Sequence, residues 1–488
     1  MSACVALIDE VVAAHELPGD FSAELTQSAI HAAKNPVEVS REDFRELHLF
    51  TIDGEDARDF DDAVAAAPLP NGGFRLWTAI ADVAAFVKDG SPLDKEARRR
   101  GNSVYFPDRV LPMLPDALSN DACSLSPDQD KLCLLCEMDI VDGEVKKYRF
   151  ARGIMRSRRR LTYEDAADGM QNDVRPLTDL AAAGKALRQA RKENGAFMME
   201  RPEWQAIIAD GETTLRECRR NKAHWVIEEC MIAANRCAAD FVIRRRLPTL
   251  HRIHRKPSTE NVRNLSRLLG GLGVDFPARP VAADFGRALE AIVAKDEGLA
   301  DCIVPVLLGT LSRAEYAPDE KTGHFGLSCS RYLHFTSPIR RYPDLLVHRA
   351  IIAGLSKQNK QKVAAGDLAA LGAHCSQTET AADKAGWDCR QRLLCHRAMA
   401  HVGQEFDAMV SGVAPFGIFV AVRELGVDGM IRLSSLPGYW RYDEKKREIS
   451  ANGRVLGLGM RLRTRLASAM PEKGRANFEP TTDTMLGR

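Results

Sequence analysis

Apolar and polar positions change rhythm several times along the chain, and each change marks an element boundary. Residues 5–34 carry apolar side chains at three- and four-residue spacing, broken at Pro18-Gly19, which predicts two short helices. From Leu47 the pattern turns to strands: LHLFTID, AVAAA and FRLWTAIADVAAFV, the last two joined through Pro70-Asn71-Gly72-Gly73. A second strand pair, KLCLLCEMDI and VKKYRFARGIM, flanks Val141-Asp142-Gly143. Helical spacing returns over 178–194 and 203–246, and again over 259–272, 285–314, 342–355 and 366–401. From about Gln404 short strands resume, punctuated by Gly and Pro. No tandem repeat or low-complexity linker is visible. The expected fold class is α+β, a large body followed by a small all-β module.

Composition agrees with a folded protein. The 488 residues are 45% apolar and 28% charged, enough to build a core, and the length allows about three domain-sized units. No run of about 18 apolar residues predicts a membrane span. The N-terminus lacks the basic and apolar regions of a secretory signal. Twelve cysteines without regular spacing suit a reduced, cytoplasmic protein. The pair Cys133 and Cys136 lies in an apolar strand with no second pair at zinc spacing, and reads as core. The net charge of +1 hides an imbalance: residues 1–66 carry 15 acidic and 4 basic side chains, and the remainder is basic. A metal site set in a nucleic-acid surface requires such a distribution, although a solvated face also produces it.

The acidic excess includes one dense cluster. Asp53, Asp59, Asp61 and Asp62 fall within ten residues at the end of a strand and the start of a loop. Like charges so close cost energy unless a cation sits among them. Oxygen ligands without nearby His or Cys point to Mg²⁺ or Mn²⁺ rather than zinc. Such a site can activate water and stabilise a leaving oxygen in phosphodiester hydrolysis. A solvated acidic loop or a calcium loop is the plainer alternative, but the EF-hand order is absent. Further on, HFTSPIRRYPD places Arg340 and Arg341 between a Ser-Pro turn and a helix, where paired guanidinium groups suit phosphate oxygens. Capping or a local salt bridge is the alternative there.

Together these segments make the chain recognisable. TIDGEDARDFDDAV, YFPDRVLPMLPDALSNDACSLSPDQDKL and HFTSPIRRYPDLLVHR resemble the signature segments of the ribonuclease II / ribonuclease R (RNB-domain) family, nearer to ribonuclease R. The likeness runs from about residue 5 to about 480. It implies a hydrolytic 3′→5′ exoribonuclease that needs Mg²⁺ (or Mn²⁺), degrades single-stranded RNA and releases nucleoside 5′-monophosphates. It implies an RNB catalytic domain with a mixed sheet over 47–402, after a short helical segment 1–46. An S1-type RNA-binding OB barrel would follow over 403–480, with a tail at 481–488. By the same resemblance Asp53, Asp59, Asp61 and Asp62 hold the metal, and Asp61 is the carboxylate whose loss stops chemistry. Asp62 and Arg340 join it in catalysis, with Arg340 on the terminal phosphates and Arg341 assisting. Tyr105 and Phe197 would clamp the stacked bases, since single-stranded RNA is held by stacking that ignores sequence. Tyr163 and Glu229, with Glu228 as the adjacent alternative, would meet the 2′-hydroxyl. Phe416 and Phe419 are the stacking candidates of the barrel, unless one of them fills its interior.

Basic residues Lys146, Lys147, Arg149, Arg152, Arg156, Arg158, Arg159 and Arg160, with Arg219, Arg220, Lys222 and Arg244–Arg246, could serve an RNA track or a solvated face. Only about 45 residues precede the aspartate motif, too few for the cold-shock domains usual in the family. Either a naturally short form or an incomplete reading frame accounts for that, and the chain as given is expected to bind RNA more weakly and less processively than a full-length relative, with catalysis retained. In QTETAADKAGWDCRQ, Thr380, Ala381 and Trp387 stand where the family usually has arginines. A monomer is expected, with the ribosome or RNA-decay machinery as candidate associates and no membrane partner. The rival functions are a catalytically inactive RNA-binding protein on the same fold, and a metal-dependent phosphoesterase of small molecules.

Overall fold

Pro18-Gly19 does separate two helices, α1 (Ala3–Ala14) and α2 (Ala23–Lys34), the second capped by the Ser22 hydroxyl. The computed structural model describes residues 3–199, 201–209, 211–356, 365–444 and 447–481. Its central sheet comprises β1 (Glu42–Asp43), β2 (Phe50–Asp53), β3 (Asp62–Pro68), β4 (Phe74–Ala81) and three later strands. A separate two-residue hairpin, β5 (Val104–Tyr105) and β6 (Val110–Leu111), intervenes. Then come β7 (Asp130–Val141), β8 (Glu144–Arg156) and β9 (Arg159–Thr162). The order is β1-β8-β7-β4-β3-β2-β9. Strands β1/β8 and β2/β9 pair parallel and the rest antiparallel. Both hairpins expected from the sequence form, at Asn71–Gly73 and Asp142-Gly143.

Alternation along these strands feeds two cores. Val64, Leu76, Leu134 and Cys136 face one way, beneath α4 (Tyr163–Gln171), α5 (Leu177–Glu193) and α6 (Lys222–Arg245). Ala63, Ala65, Cys133 and Leu135 face the other, toward α2 and residues around Met113–Leu125. Cys133 and Cys136 therefore lie in opposite cores, as two buried apolar side chains.

The helical expectation for 203–246 is half wrong. Residues Glu203–Ala209 and Glu212–Cys218 are an antiparallel hairpin, β10 and β11, and helix α6 starts only at Lys222. Ile207, Ile208, Thr213 and Thr214 favour extended backbone, and Gly211 takes φ +83°, as a tight turn requires. Asn221 then caps α6 in a capping box with His224. Beyond it, β12 (His251–Ile253) pairs with β13 (Glu315–Ala317). Between them α7 (Thr259–Gly271), α8 (Ala282–Lys295) and α9 (Glu297–Thr310) bury a core of their own around Phe285.

Two helices complete the body: α10 (Tyr342–Leu355) and the 34-residue α11 (Ala365–Ala398). The last joins three clusters. Leu368, Leu371 and Cys375 pack into the sheet core, Ala385, Cys389 and Leu393 against α1, and Leu394, Cys395 and Ala398 into the C-terminal module. That module is a closed five-stranded barrel of OB type. Its strands are β14 (Glu405–Ala414), β15 (Gly417–Val422) and β16 (Val427–Arg432), then β20 and β21 after an inserted sheet. The insert is β17 (Arg441–Asp443), β18 (Glu448–Ala451) and β19 (Arg454–Gly457); closure comes from β20 (Arg461–Met470) and β21 (Arg475–Pro480). Phe406 and Phe478 fill the barrel with Val410, Ile418, Val420 and Ile431. Among the described residues, no helix is long and apolar enough to cross a membrane.

Candidate active site

Antiparallel β2 and β3 are neighbours, so the end of one and the start of the next meet at one end of the sheet. Asp53 closes β2 and Asp62 opens β3. The intervening loop is pinned from outside. Ser124 Oγ accepts from the Phe60 N–H at 3.0 Å and donates to the Arg58 carbonyl at 2.6 Å. Arg160 donates to the Gly54 carbonyl at 2.6 Å. On the far side, the Ile339 N–H donates to Asp61 Oδ1 at 2.8 Å. The aspartate motif and the arginine motif, some 280 residues apart, thus meet at one hydrogen bond.

Burial and mutual repulsion dominate this site. Asp61 is only 4% exposed. Burial raises its carboxyl well above the ordinary value, against the pull of Arg340 and the Ile339 hydrogen bond. Asp53 and Asp62 are likewise raised, first by burial and then by a neighbouring aspartate (Asp59 for Asp53, Asp53 for Asp62), with Arg340 opposing. One oxygen each of Asp53 and Asp61 is buried with no hydrogen-bond partner. Such orphaned oxygens are unfavourable unless a cation completes them. That, with an all-oxygen donor set, fits a hard divalent ion. The carboxylates are not drawn tightly around one point: among the described residues no three such side chains form a closed ligand cluster. Repulsion between like charges accounts for that spread.

Arg340 and Arg341 diverge. Arg340 is half-exposed; its Nε lies 3.4 Å from Asp61 Oδ2, and its Nη2 donates to Ser337 Oγ at 3.0 Å. It is a cation of the aspartate pocket, joined by Arg160, which also lowers the Asp53 carboxyl. Arg341 donates instead to buried Asp344 at 2.7 Å, and Asp344 also accepts from the Ser337 N–H at 2.8 Å. Arg341 shapes the turn that aims Arg340 and still lowers the Asp62 carboxyl from nearby.

The other expected residues are distributed unevenly. Tyr105, 46% exposed on β5, donates its hydroxyl to Asp59 at 2.7 Å and so borders the pocket directly. Tyr163 begins α4 and stacks on His224 at 3.8 Å; burial and the charges of Asp62 and Asp53 raise its phenol. Phe197 is half-buried against the α7–α9 core, its N–H donating to the Gly326 carbonyl. Among the described residues, no hydrogen bond or ring contact links it to the aspartates. Glu229 is buried and committed. Arg191 holds both its oxygens at 3.0 Å and Arg188 approaches at 3.4 Å, whereas Glu228 is part-exposed between Arg191 and Arg220. In the barrel, Phe416 and Phe419 both lie outside, 60% and 39% exposed, with rings 6.1 Å apart edge to face; neither fills the interior.

The basic run on β8 and β9 is largely spent within the protein. Lys146 pairs with Glu144, Arg149 with Glu42 and Glu137, Arg152 with Asp82, and Arg156 with Asp130. A groove of about 1370 Å³ leads to the pocket instead, lined by Asp59, Tyr105, Arg58, Trp204, Arg216 and Arg390 among others. A further cavity of about 400 Å³ runs past Tyr105, Arg340 and Arg341 along α11. Ser124, Ser337, Asp344 and the groove residues Trp204, Arg216 and Arg390 are positions at the site or its groove that sequence reading missed. Ser337 and Asp344 did carry a signal, lying three residues either side of the arginine pair.

The RNB domain family model matches residues 41–357. Ribonuclease R of Escherichia coli is 38% identical over 502 residues, covering 96% of this chain and 61% of that protein. Ribonuclease R of Thermotoga maritima is 34% identical, with 96% and 70% covered. The chain thus spans about three-fifths of the Escherichia coli relative's length. Among solved structures, Mycoplasma genitalium RNase R in complex with ribose methylated single-stranded RNA has a TM-score of 0.90, covering 98% of this chain and 78% of that one. At 24% identity that likeness bears on the fold.

Proposed function

The chain belongs to the RNB-domain (ribonuclease II / ribonuclease R) family, and on that premise we propose that it is a Mg²⁺-dependent hydrolytic 3′→5′ exoribonuclease. Its substrate would be single-stranded RNA and its products nucleoside 5′-monophosphates. One observation carries the reading: four aspartates, two of them (Asp53 and Asp61) with an orphaned buried oxygen, share a pocket with Arg340 beside an open groove that Asp59 lines.

Asp53, Asp59, Asp61 and Asp62 would hold the cation. When bound, it would supply Lewis acidity and a water of lowered pKa. The chain's own contribution is positional. The Ile339 N–H fixes Asp61, the Ser337 hydroxyl steers Arg340, and the Arg341–Asp344 pair stiffens the turn between them. Arg340 can then move its charge from Asp61 to a phosphate oxygen, where bidentate contact stabilises developing negative charge. Tyr105 offers a ring at the pocket rim, and Tyr163 a hydroxyl for the 2′-OH that separates RNA from DNA. The exposed pair Phe416 and Phe419 supports S1-type RNA binding by the barrel.

The test uses 5′-labelled single-stranded RNA and DNA of equal sequence, with Mg²⁺ or with EDTA. Stepwise shortening of RNA alone, with AMP released from oligoadenylate and silence in EDTA, is expected. Activity in EDTA, cyclic-phosphate ladders or equal use of DNA would overturn the proposal. Binding of oligoadenylate without AMP release would instead identify a regulatory protein on a nuclease fold.

A further inference from the structure

Trp387 has no role in the pocket described above, yet it is 65% exposed in the middle of α11. A large indole left in water that way is uncommon in a well-packed helix. Its neighbour Gly386 lines both the 1370 Å³ groove and the 400 Å³ cavity beside Arg340. A Cβ at Gly386 would meet nothing within 4 Å, so the helix is open at the point where the two spaces join. Glycine within a helix weakens it, and no packing need explains this one.

Helical geometry places Trp387 beside that opening. Residues 379, 383, 386 and 390 fall on one face of α11 and line the two spaces. Trp387 sits one position around from Gly386, four residues after Asp383 and three before Arg390, at the solvent rim of the face. Arg390 and Arg216 add positive charge to the groove wall. The polar residues Asp383 and Asp388 flank the indole in sequence. A lone indole among charged groups is too small for a protein-docking patch, but one ring suffices to stack one base.

We propose that Gly386 and Trp387 form an auxiliary stacking station for single-stranded RNA, in which the strand crosses α11 at the glycine gap and lays one base on Trp387. Tyr105 lines both spaces that meet at Gly386, and Trp387 lines neither, so the station would engage only strands long enough to leave those spaces across α11. It rests on the exoribonuclease reading and adds a contact to it.

The experiment measures binding of fluorescein-labelled oligoadenylates to the full chain in EDTA, where nothing is cut, using lengths of about four and about sixteen nucleotides. Trp387→Ala should weaken the longer strand about tenfold and the tetranucleotide less than about twofold, and Trp387→Phe should restore most of the loss. Tryptophan fluorescence should be quenched by the long strand in the wild type, and less so in Trp387→Ala. Wild-type affinity of Trp387→Ala for the long strand, or equal weakening of both lengths, overturns the station alone. A wild-type protein that binds no RNA and releases no AMP in Mg²⁺ overturns the nuclease reading itself.

Discussion

Arg340 Nε stands 3.4 Å from Asp61 Oδ2, an oxygen that is buried and receives no hydrogen bond. The arginine is therefore the counter-charge of Asp61 in the protein alone, and it must share that duty once a metal ion arrives. Two opposite effects follow from removing it.

Arg340→Ala should lower kcat/KM on oligoadenylate by about 10²–10³, the usual cost of losing one transition-state charge contact. The same variant should bind Mg²⁺ more tightly, because a competing cation is gone. A Mg²⁺ titration followed by thermal melting measures the second effect. A variant that needed more Mg²⁺ than the wild type would contradict this account of Arg340.

Asp61→Asn keeps an oxygen for the Ile339 N–H and removes a buried negative charge. In EDTA this variant should melt higher than the wild type, by an amount corresponding to on the order of 1 kcal/mol. Its release of AMP should fall at least about a thousandfold. Calorimetry and product chromatography on one preparation check both.

The raised carboxyls of Asp53, Asp61 and Asp62 set a pH dependence. A carboxyl raised in the folded state stabilises it fully below the unfolded value near 4, and that stability is lost as pH rises through the folded value. The metal-free protein should therefore lose stability between about pH 4 and neutrality and above. A bound cation relieves the same repulsion, so the rise in Tm on adding Mg²⁺ should be larger at pH 8 than at pH 5.5. A rise independent of pH would mean that the aspartates are not the metal ligands.

Glu229 is only 2% exposed and both its oxygens face Arg191. Glu229→Ala should cost about 3–5 kcal/mol of stability, because a buried guanidinium loses its main partner. Urea unfolding measures this. Glu228→Ala should cost less than about 1 kcal/mol. If RNA-over-DNA preference moves with Glu228 while Glu229 affects only stability, the 2′-hydroxyl contact belongs to the more exposed residue.

Phe416→Ala and Phe419→Ala remove exposed rings, so stability should change by less than about 0.5 kcal/mol. Affinity for long oligoadenylate should fall several-fold for each. Filter binding and melting curves together separate a binding role from a structural one.

Much of this is legible in the sequence. Alternation gave away the sheet strands, and Pro18-Gly19 and the Asn71–Gly73 turn mark real boundaries. The four aspartates and Arg340 are close in space, as their chemistry demanded. The hairpin at 203–218 was hidden because apolar positions in a short amphipathic strand pair also fit helical spacing. Glu229 and Arg341 read as ligand contacts, yet both are bound to internal partners, Arg191 and Asp344. A charged side chain shows its type in sequence but not its nearest neighbour. The β8 arginines make the same point, since carboxylates from distant segments such as Glu42 and Asp82 pair with them.

Helix α11 spans about 50 Å at 1.5 Å per residue, and about 30 Å of it separates Cys375, which lines the cavity beside Arg340, from Leu394 in the core of the barrel. Being one unbroken helix, it acts as a ruler set between two grips. If the proposed exoribonuclease reading holds, a strand long enough to touch both would be tethered twice while its end is shortened, and a strand too short to reach the barrel would keep only the catalytic grip. The size of the last fragment shed would then follow the length of a helix, and inserting a turn into α11 should lengthen that fragment.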